Sequence, residues 1–256
     1  MRDLRLEVDG GVATLLIDRP HVRNALALQT MTELGQALEN VASSNARVLV
    51  IRGAGDRAFC AGGDLNELEH LRSEADAAAM ATTMRATLDL LPALPMPVIA
   101  GLNGDALGGG AEVMVACDLR VAAEHARISF AQITLGLMPA WGASERLTAL
   151  VGRGRAMSML ITGRTMSARE AHGLGLVEDV YPSDAFDARL ASLAHAVAAA
   201  PLPALAGIKA SINAAQPFRH PELARETIAN FAKGWADPAH WEAVAKMEQR
   251  RLKARD

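Results

Sequence analysis

Glu112 is the residue around which chemistry could be built. It stands just beyond the triplet Gly108-Gly109-Gly110, and Gly101 and Gly104 lie a little upstream. Before the glycines, Val98 to Ala100 is a short apolar run entered from prolines, which reads as a buried strand. After them, Ala111 to Cys117 is apolar apart from Glu112, which reads as a buried helix. Strand, glycine turn and helix N-terminus together leave N–H groups pointing outward, with the helix dipole behind them. Such an end holds a negative oxygen. No Lys-Ser/Thr follows the glycines, so the run is not a phosphate-binding P-loop, and the dinucleotide fingerprint fits poorly. A buried acid beside oriented N–H donors suits proton transfer next to an enolate or oxyanion. The segment alone equally admits a glycine turn packed under a helix, with Glu112 satisfied by a basic neighbour.

A second small-residue loop, Ala58-Phe59-Cys60-Ala61-Gly62-Gly63-Asp64-Leu65, follows the apolar run Val48 to Arg52. Near the start stands Arg19-Pro20-His21-Val22-Arg23-Asn24-Ala25-Leu26. Further on come Gly136 to Pro139 with Gly142, and then Thr162-Gly163-Arg164, Ala168, Ala171 and Gly175-Leu176-Val177. With these motifs in this order, nearly the whole chain resembles the crotonase (enoyl-CoA hydratase/isomerase) superfamily.

That resemblance implies an α/β fold: a β/β/α spiral core with the acyl-CoA site over residues 1–190, and a helical oligomerisation region over 191–256. It implies homotrimers, often paired as hexamers. The chemistry it implies runs through a thioester enolate, held by the N–H groups of Gly63 and Gly109. Glu112 matches one of two glutamates that handle water in family hydratases. The second falls at Gln132, and a glutamine can hold water but cannot exchange a proton as a carboxyl does. Glu124 and Glu145 are alternatives only if the loop differs. Trp141 stands where hydratases have a small residue, and either narrows the acyl pocket or fills a core gap. Coenzyme A, as part of the substrate and not a separate cofactor, would be framed by His21, Val22, Arg23, Ala61, Asp64 and Leu65. Arg23 would pair with a phosphate or simply sit at the surface. Phe231 matches the aromatic that a terminal helix brings to the site, and the family's tail lysine falls at Gln249, with Arg250 as a substitute. The implied activity is enoyl-CoA hydration in fatty acid or related acyl-CoA degradation. The alternatives are decarboxylation, double-bond isomerisation, or a CoA-thioester binding protein with little turnover.

Composition agrees with one sizeable core: 256 residues, half of them hydrophobic, with net charge −3. That charge gives no electrostatic case for nucleic acid. Cys60 and Cys117 alone, without metal spacing, read as reduced thiols, and the histidines have no metal-ligand spacing to acids or cysteines. With no leader-like or membrane-length apolar run, the expectation is a cytoplasmic protein.

The elements that must carry these residues follow from periodicity. Leu4 to Val8 and Val12 to Asp18 flank a glycine hairpin, and Val48 to Arg52 is a strand. Leu28 to Val41 and Asp76 to Leu91 read as helices, the second stopped at Pro92. Leu119 to Ala122, Arg127 to Phe130 and Val177 to Tyr181 read as strands, and beyond Tyr181 only helices are expected. Strands alternating with helices predict parallel β–α units with a helical appendage. Phe231, Trp235, Trp241 and Met247 in that appendage favour a subunit interface over intrachain packing.

Overall fold

The computed structural model describes residues 3–215 and 221–253. In chain order it contains β1 (Leu4–Asp9), β2 (Val12–Ile17), α1 (Leu28–Ala42), β3 (Val48–Gly53), β4 (Ala58–Cys60), α2 (Leu65–Leu68), α3 (Glu74–Ala93), β5 (Val98–Leu102) and β6 (Asp105–Leu107). There follow α4 (Gly109–Ala116), β7 (Leu119–Ala123), β8 (Arg127–Ser129), α5 (Ala143–Val151), α6 (Arg153–Thr162), β9 (Met166–Ser167), α7 (Ala168–Gly173) and β10 (Asp179–Tyr181). The chain closes with α8 (Phe186–Ala198), α9 (Leu202–Ala214), α10 (Pro221–Ala236) and α11 (Pro238–Lys253). Short 3-10 helices occupy Pro20–Val22 and Ala131–Leu135.

One sheet runs β1-β2-β3-β5-β7-β10 and is parallel except for the β1–β2 hairpin. Gly10 and Gly11, both at positive φ, make the tight two-residue turn of that hairpin. A smaller sheet runs β4-β6-β8-β9. Successive strands alternate between the sheets: β3 then β4, β5 then β6, β7 then β8. This β/β/α winding is the spiral core that the resemblance implies. The central strands are buried on both faces, and their alternation splits the core. Leu49 and Ile51 face the main core with α1 and α3, whereas Val48 and Val50 face α8.

Strands β4, β6 and β9 fall where loops or nothing regular were expected. Two or three residues carry no legible period, and pairing with neighbours decides their state. Helix α3 runs through Pro92 to Ala93 instead of stopping before it. Residue 190 falls inside α8, which packs Phe186, Leu190, Ala194 and Ala198 on the sheet. The core packing therefore continues past the boundary expected at 190.

The C-terminal aromatics pack within the chain, not as the expected exposed interface. Phe231 and Trp235 are 6% and 3% exposed, and Trp235 is ringed by Phe231, His240 and Trp241. The Trp235 indole N–H donates to the Leu71 carbonyl, that of Trp241 donates to the Trp235 carbonyl, and Arg72 lies over the Trp241 ring. These helices thus wall one side of the core. Lys209 of α9, also buried, donates to the Leu91 and Met96 carbonyls at 2.7 and 2.9 Å and pairs with Asp118 at 2.7 Å. It fixes the proline-rich approach to β5, the strand that delivers the glycine turn. Of the basic run Gln249 to Arg255, Ala254, Arg255 and the Arg251 side chain lie outside the described residues. Among the described residues, no single helix is long and apolar enough to cross a membrane.

Candidate active site

The three glycines before Glu112 are needed for three different reasons. Gly108 caps α4 at φ 55° and ψ −120°, a backbone conformation that L side chains rarely adopt. A Cβ on Gly109 would come within 2.2 Å of the Trp141 ring, and one on Gly110 within 2.0 Å of the Cys60 carbonyl oxygen. The turn thereby lets α4 start directly against β4 and beneath the indole. The Gly109 N–H is in the first turn of α4, where no helical carbonyl can accept it.

The other loop converges on this end. Leu26 forms a parallel bridge to Gly63, using the Gly62 carbonyl at 2.8 Å and the Asp64 N–H at 3.0 Å. In a parallel bridge the flanking groups pair, so the N–H of Gly63 itself faces the opposite side. A Cβ on Gly62 would lie 2.9 Å from the Gly109 nitrogen, which shows how closely the two loops approach. Asn24 and Asn103 hold them there. Asn24 donates to the Ala54 and Ala58 carbonyls; Asn103 accepts from the Gly53 N–H and donates to the Gly55 carbonyl.

Glu112 is 2% exposed. One carboxylate oxygen, Oε2, accepts from the N–H groups of Trp141 at 2.8 Å and Ala143 at 3.1 Å; Oε1 accepts from Gln132 Nε2 at 3.0 Å. Burial pushes its pKa up to about 7; the Ala143, Trp141 and Gln132 hydrogen bonds and the Arg146 charge oppose that rise. A carboxyl poised near neutrality both takes and returns a proton. Gln132 is itself buried; its Nε2 faces the carboxylate, and its Oε1, shut from the surface, has no hydrogen-bond partner among the described residues.

A cavity of about 360 Å³ opens over this pair. Glu112, Gln132, Gly63, Gly109, His21, Val22, Arg23, Ala61, Asp64, Leu65, Trp141 and Phe231 all line it. Its walls also include Leu68, Met80, Leu107, Leu135, Leu137 and Trp235, which give it a broad apolar lining. Two of the expected contacts have other partners. The Asp64 carboxylate is held by the buried Arg19 at 2.9 Å, and the Arg23 guanidinium by Asp105 at 2.6 Å. The backbones of the two segments are also joined directly, the Ala61 N–H donating to the Arg23 carbonyl at 3.1 Å. Glu124 pairs with Arg169 at the surface and Glu145 with Arg85, so neither alternative acid reaches the site. From the tail, Met247 and Glu248 line the cavity, while Gln249 and Arg250 are exposed. Among the described residues no group of acids, cysteines and histidines could hold a metal.

Sequence reasoning missed Arg19 as the organiser of the first loop, although the motif containing it was visible. It also missed the N–H groups of Trp141 and Ala143, which a side-chain motif does not announce.

The enoyl-CoA hydratase/isomerase family matches residues 7–250 of this chain. Over 170 residues the chain is 41% identical to enoyl-CoA hydratase domain-containing protein 2, mitochondrial, of Homo sapiens; the match covers 66% of this chain and 58% of that protein. It is 38% identical over 185 residues to the 2,3-dehydroadipyl-CoA hydratase of Escherichia coli (strain K12), covering 72% and 71%. The chain spans less than two thirds of some of these curated relatives, 58% of the human protein and 65% of YngF from Bacillus subtilis (strain 168). Among solved structures, an enoyl-CoA hydratase from Mycobacterium avium subsp. paratuberculosis K-10 superposes with a TM-score of 0.88 at 30% identity, over 96% of this chain and 98% of that one.

Proposed function

The chain belongs to the enoyl-CoA hydratase/isomerase family of the crotonase superfamily, and on that premise we propose that it adds water to the double bond of a 2-enoyl-CoA, using Glu112 as its one proton-transferring carboxylate. The observation that carries this reading is the buried Glu112–Gln132 pair, a poised carboxylate hydrogen-bonded to an amide in the cavity wall. The substrate is an acyl-CoA thioester, and coenzyme A enters with it.

The steps balance without a second acid. A water molecule donates one hydrogen bond to Glu112, and the Gln132 amide turns from the carboxylate to offer Oε1 to the other. Its oxygen attacks the β-carbon as Glu112 takes the proton. Electrons of the double bond move onto the thioester oxygen, which the N–H groups of Gly63 and Gly109 stabilise. The carboxyl then returns its proton to the α-carbon, giving a 3-hydroxyacyl-CoA. Trp141 lies over Gly109 and limits the space beyond the reacting carbons, which favours a short acyl chain. The exposed Ile208 and Ile212 of α9, at 60% and 58%, supply apolar surface for the trimer or hexamer of the family. Turnover of fatty or related acyl-CoA in the cytoplasm completes the reading.

One observation favours a second reading. An enolate hole with a single carboxylate also suits loss of CO2 from a β-carboxylated acyl-CoA, which needs little acid–base equipment. Gln132→Glu separates them. It places two carboxyls about 3 Å apart, where they share a proton. For a hydratase, the restored acid raises the hydration rate of a short enoyl-CoA. For a decarboxylase, the added charge lowers CO2 release and creates no good hydratase, and that result would overturn the hydration reading.

A further inference from the structure

The oxygen of Glu112 farthest from Gln132 is held only by the backbone, and the turn that supplies those N–H groups is itself held by charge. Trp141 and Ala143 flank Gly142, which sits at φ 102°. Arg146, in the first turns of α5, donates from Nη1 to the Trp141 carbonyl at 2.6 Å. Its Nη2 pairs with Asp89 of α3. The same aspartate accepts from Arg85 Nε at 3.0 Å, and Arg85 Nη2 pairs with Glu145 at 2.7 Å. Two residues of α3 and two of α5 thus form a charge-neutral cluster directly behind the turn. A Cβ on Gly142 would lie 2.4 Å from Arg146 Nη1 and 3.3 Å from Arg85 Cζ, so the guanidinium groups lie across its bare backbone. Arg146 is not among the residues that line the cavity.

We infer that Arg146 is a positioning residue for Glu112: it ties the Trp141–Ala143 turn to α3, so that the two N–H groups of the turn aim one carboxylate oxygen. Without Arg146 the turn keeps its sequence but loses the side chain that, among the described residues, holds the Trp141 carbonyl. The other charged or titratable groups on elements packed around α4 are few. Beside Arg85, Asp89 and Glu145 there are, among the described residues, the exposed Glu74 and Asp76 in the first turn of α3, Asp105 on β6, paired with Arg23 and Arg127, and Cys60 on β4, whose thiol burial pushes up to about 12. The Ala131–Leu135 turn offers only Gln132. Arg146 is therefore also the cation whose field reaches Glu112 and favours its charged form.

The inference rests on Glu112 as the proton-transferring group, so its test reads the carboxyl directly as well as turnover. Infrared difference titration follows the Glu112 carboxyl band, identified by its absence from Glu112→Gln. In Arg146→Met the titration midpoint rises, and kcat on a short enoyl-CoA falls about 10²-fold with KM little changed, the scale of a misplaced reacting group. Arg146→Lys keeps the midpoint near wild type and recovers part of kcat. Asp89→Asn, at a half-exposed position, removes the carboxylate paired with Arg146, leaves the cluster with one net positive charge and lowers the midpoint. These opposite movements are not produced by a merely structural cluster. An unmoved midpoint in Arg146→Met overturns the assignment whatever kcat does, as does an unmoved midpoint in Asp89→Asn should Arg146→Met not fold. If the midpoints move as stated while no enoyl-CoA is hydrated, the hydration reading fails and the role of Arg146 stands.

Discussion

Glu112→Gln lowers kcat for hydration of a short 2-enoyl-CoA by about 10²–10⁴-fold with little change in KM. The amide fills the same space and its oxygen still accepts from Trp141 and Ala143. Its NH2 then faces Gln132, whose side-chain amide must rotate to present Oε1. Binding survives, but no group remains to take a proton from water. The same substitution stabilises the fold. Glu112 has a folded pKa of about 7 against an ordinary 4.5, so the native state holds this proton more tightly than the unfolded chain. This group's contribution to stability is fully present below pH 4.5 and is lost as pH rises through 7. Above that range the buried charge costs roughly 3 kcal/mol, from about 1.4 kcal/mol per pKa unit. Urea titration at pH 8 finds Glu112→Gln more stable than wild type by an amount of that order, and the difference shrinks toward pH 5. A variant that loses neither activity nor pH-dependent stability would remove Glu112 from the centre of the mechanism.

The second large effect concerns the oxyanion. Gly109→Pro removes a first-turn N–H without disturbing the helical ladder of α4, since proline is tolerated there. In the native pocket, however, any side chain at this position meets the Trp141 ring. The informative comparison is therefore Gly109→Pro/Trp141→Ala against Trp141→Ala, where the indole has been cleared. The double variant has kcat lower by about 10²–10³, the loss typical of one oxyanion donor. Circular dichroism and KM stay close to those of the single variant. Equal kcat in the two would show that the Gly109 N–H does not face the developing charge.

Much of this arrangement is legible from the residues, and the failures have physical causes. The buried runs Val48 to Arg52 and Val98 to Ala100 announce themselves because both faces of each strand are apolar. Helix α1 is legible because Leu28, Met31, Leu34 and Leu38 recur at helical spacing, and it is observed over Leu28–Ala42. The three-residue strands β4 and β6 are invisible, because their pairing is set by tertiary contact. Composition put Trp235 and Phe231 on an interface, whereas packing across 164 residues, from Trp235 to Leu71, turns them inward. At the site, the glycine triplet and Glu112 stand out by type, and Gln132 by its place relative to Gly136 and Pro139. Arg23 reads as a phosphate partner or a surface residue and Asp64 as part of the coenzyme A frame, whereas tertiary packing gives them Asp105 and Arg19 as partners. The Arg146–Asp89 pair spans 57 positions and two helices, so no local pattern encodes it.

The central claim is that one glutamate and a glutamine-held water suffice for hydration. Its most direct test is wild-type protein mixed with crotonyl-CoA in H₂¹⁸O, with the conjugated enoyl-thioester absorbance followed in time and the product weighed. Hydration through Glu112 gives catalytic loss of that absorbance and a 3-hydroxyacyl-CoA carrying one ¹⁸O at the β-carbon. Tight binding of crotonyl-CoA with the absorbance unchanged and no ¹⁸O incorporated would contradict it.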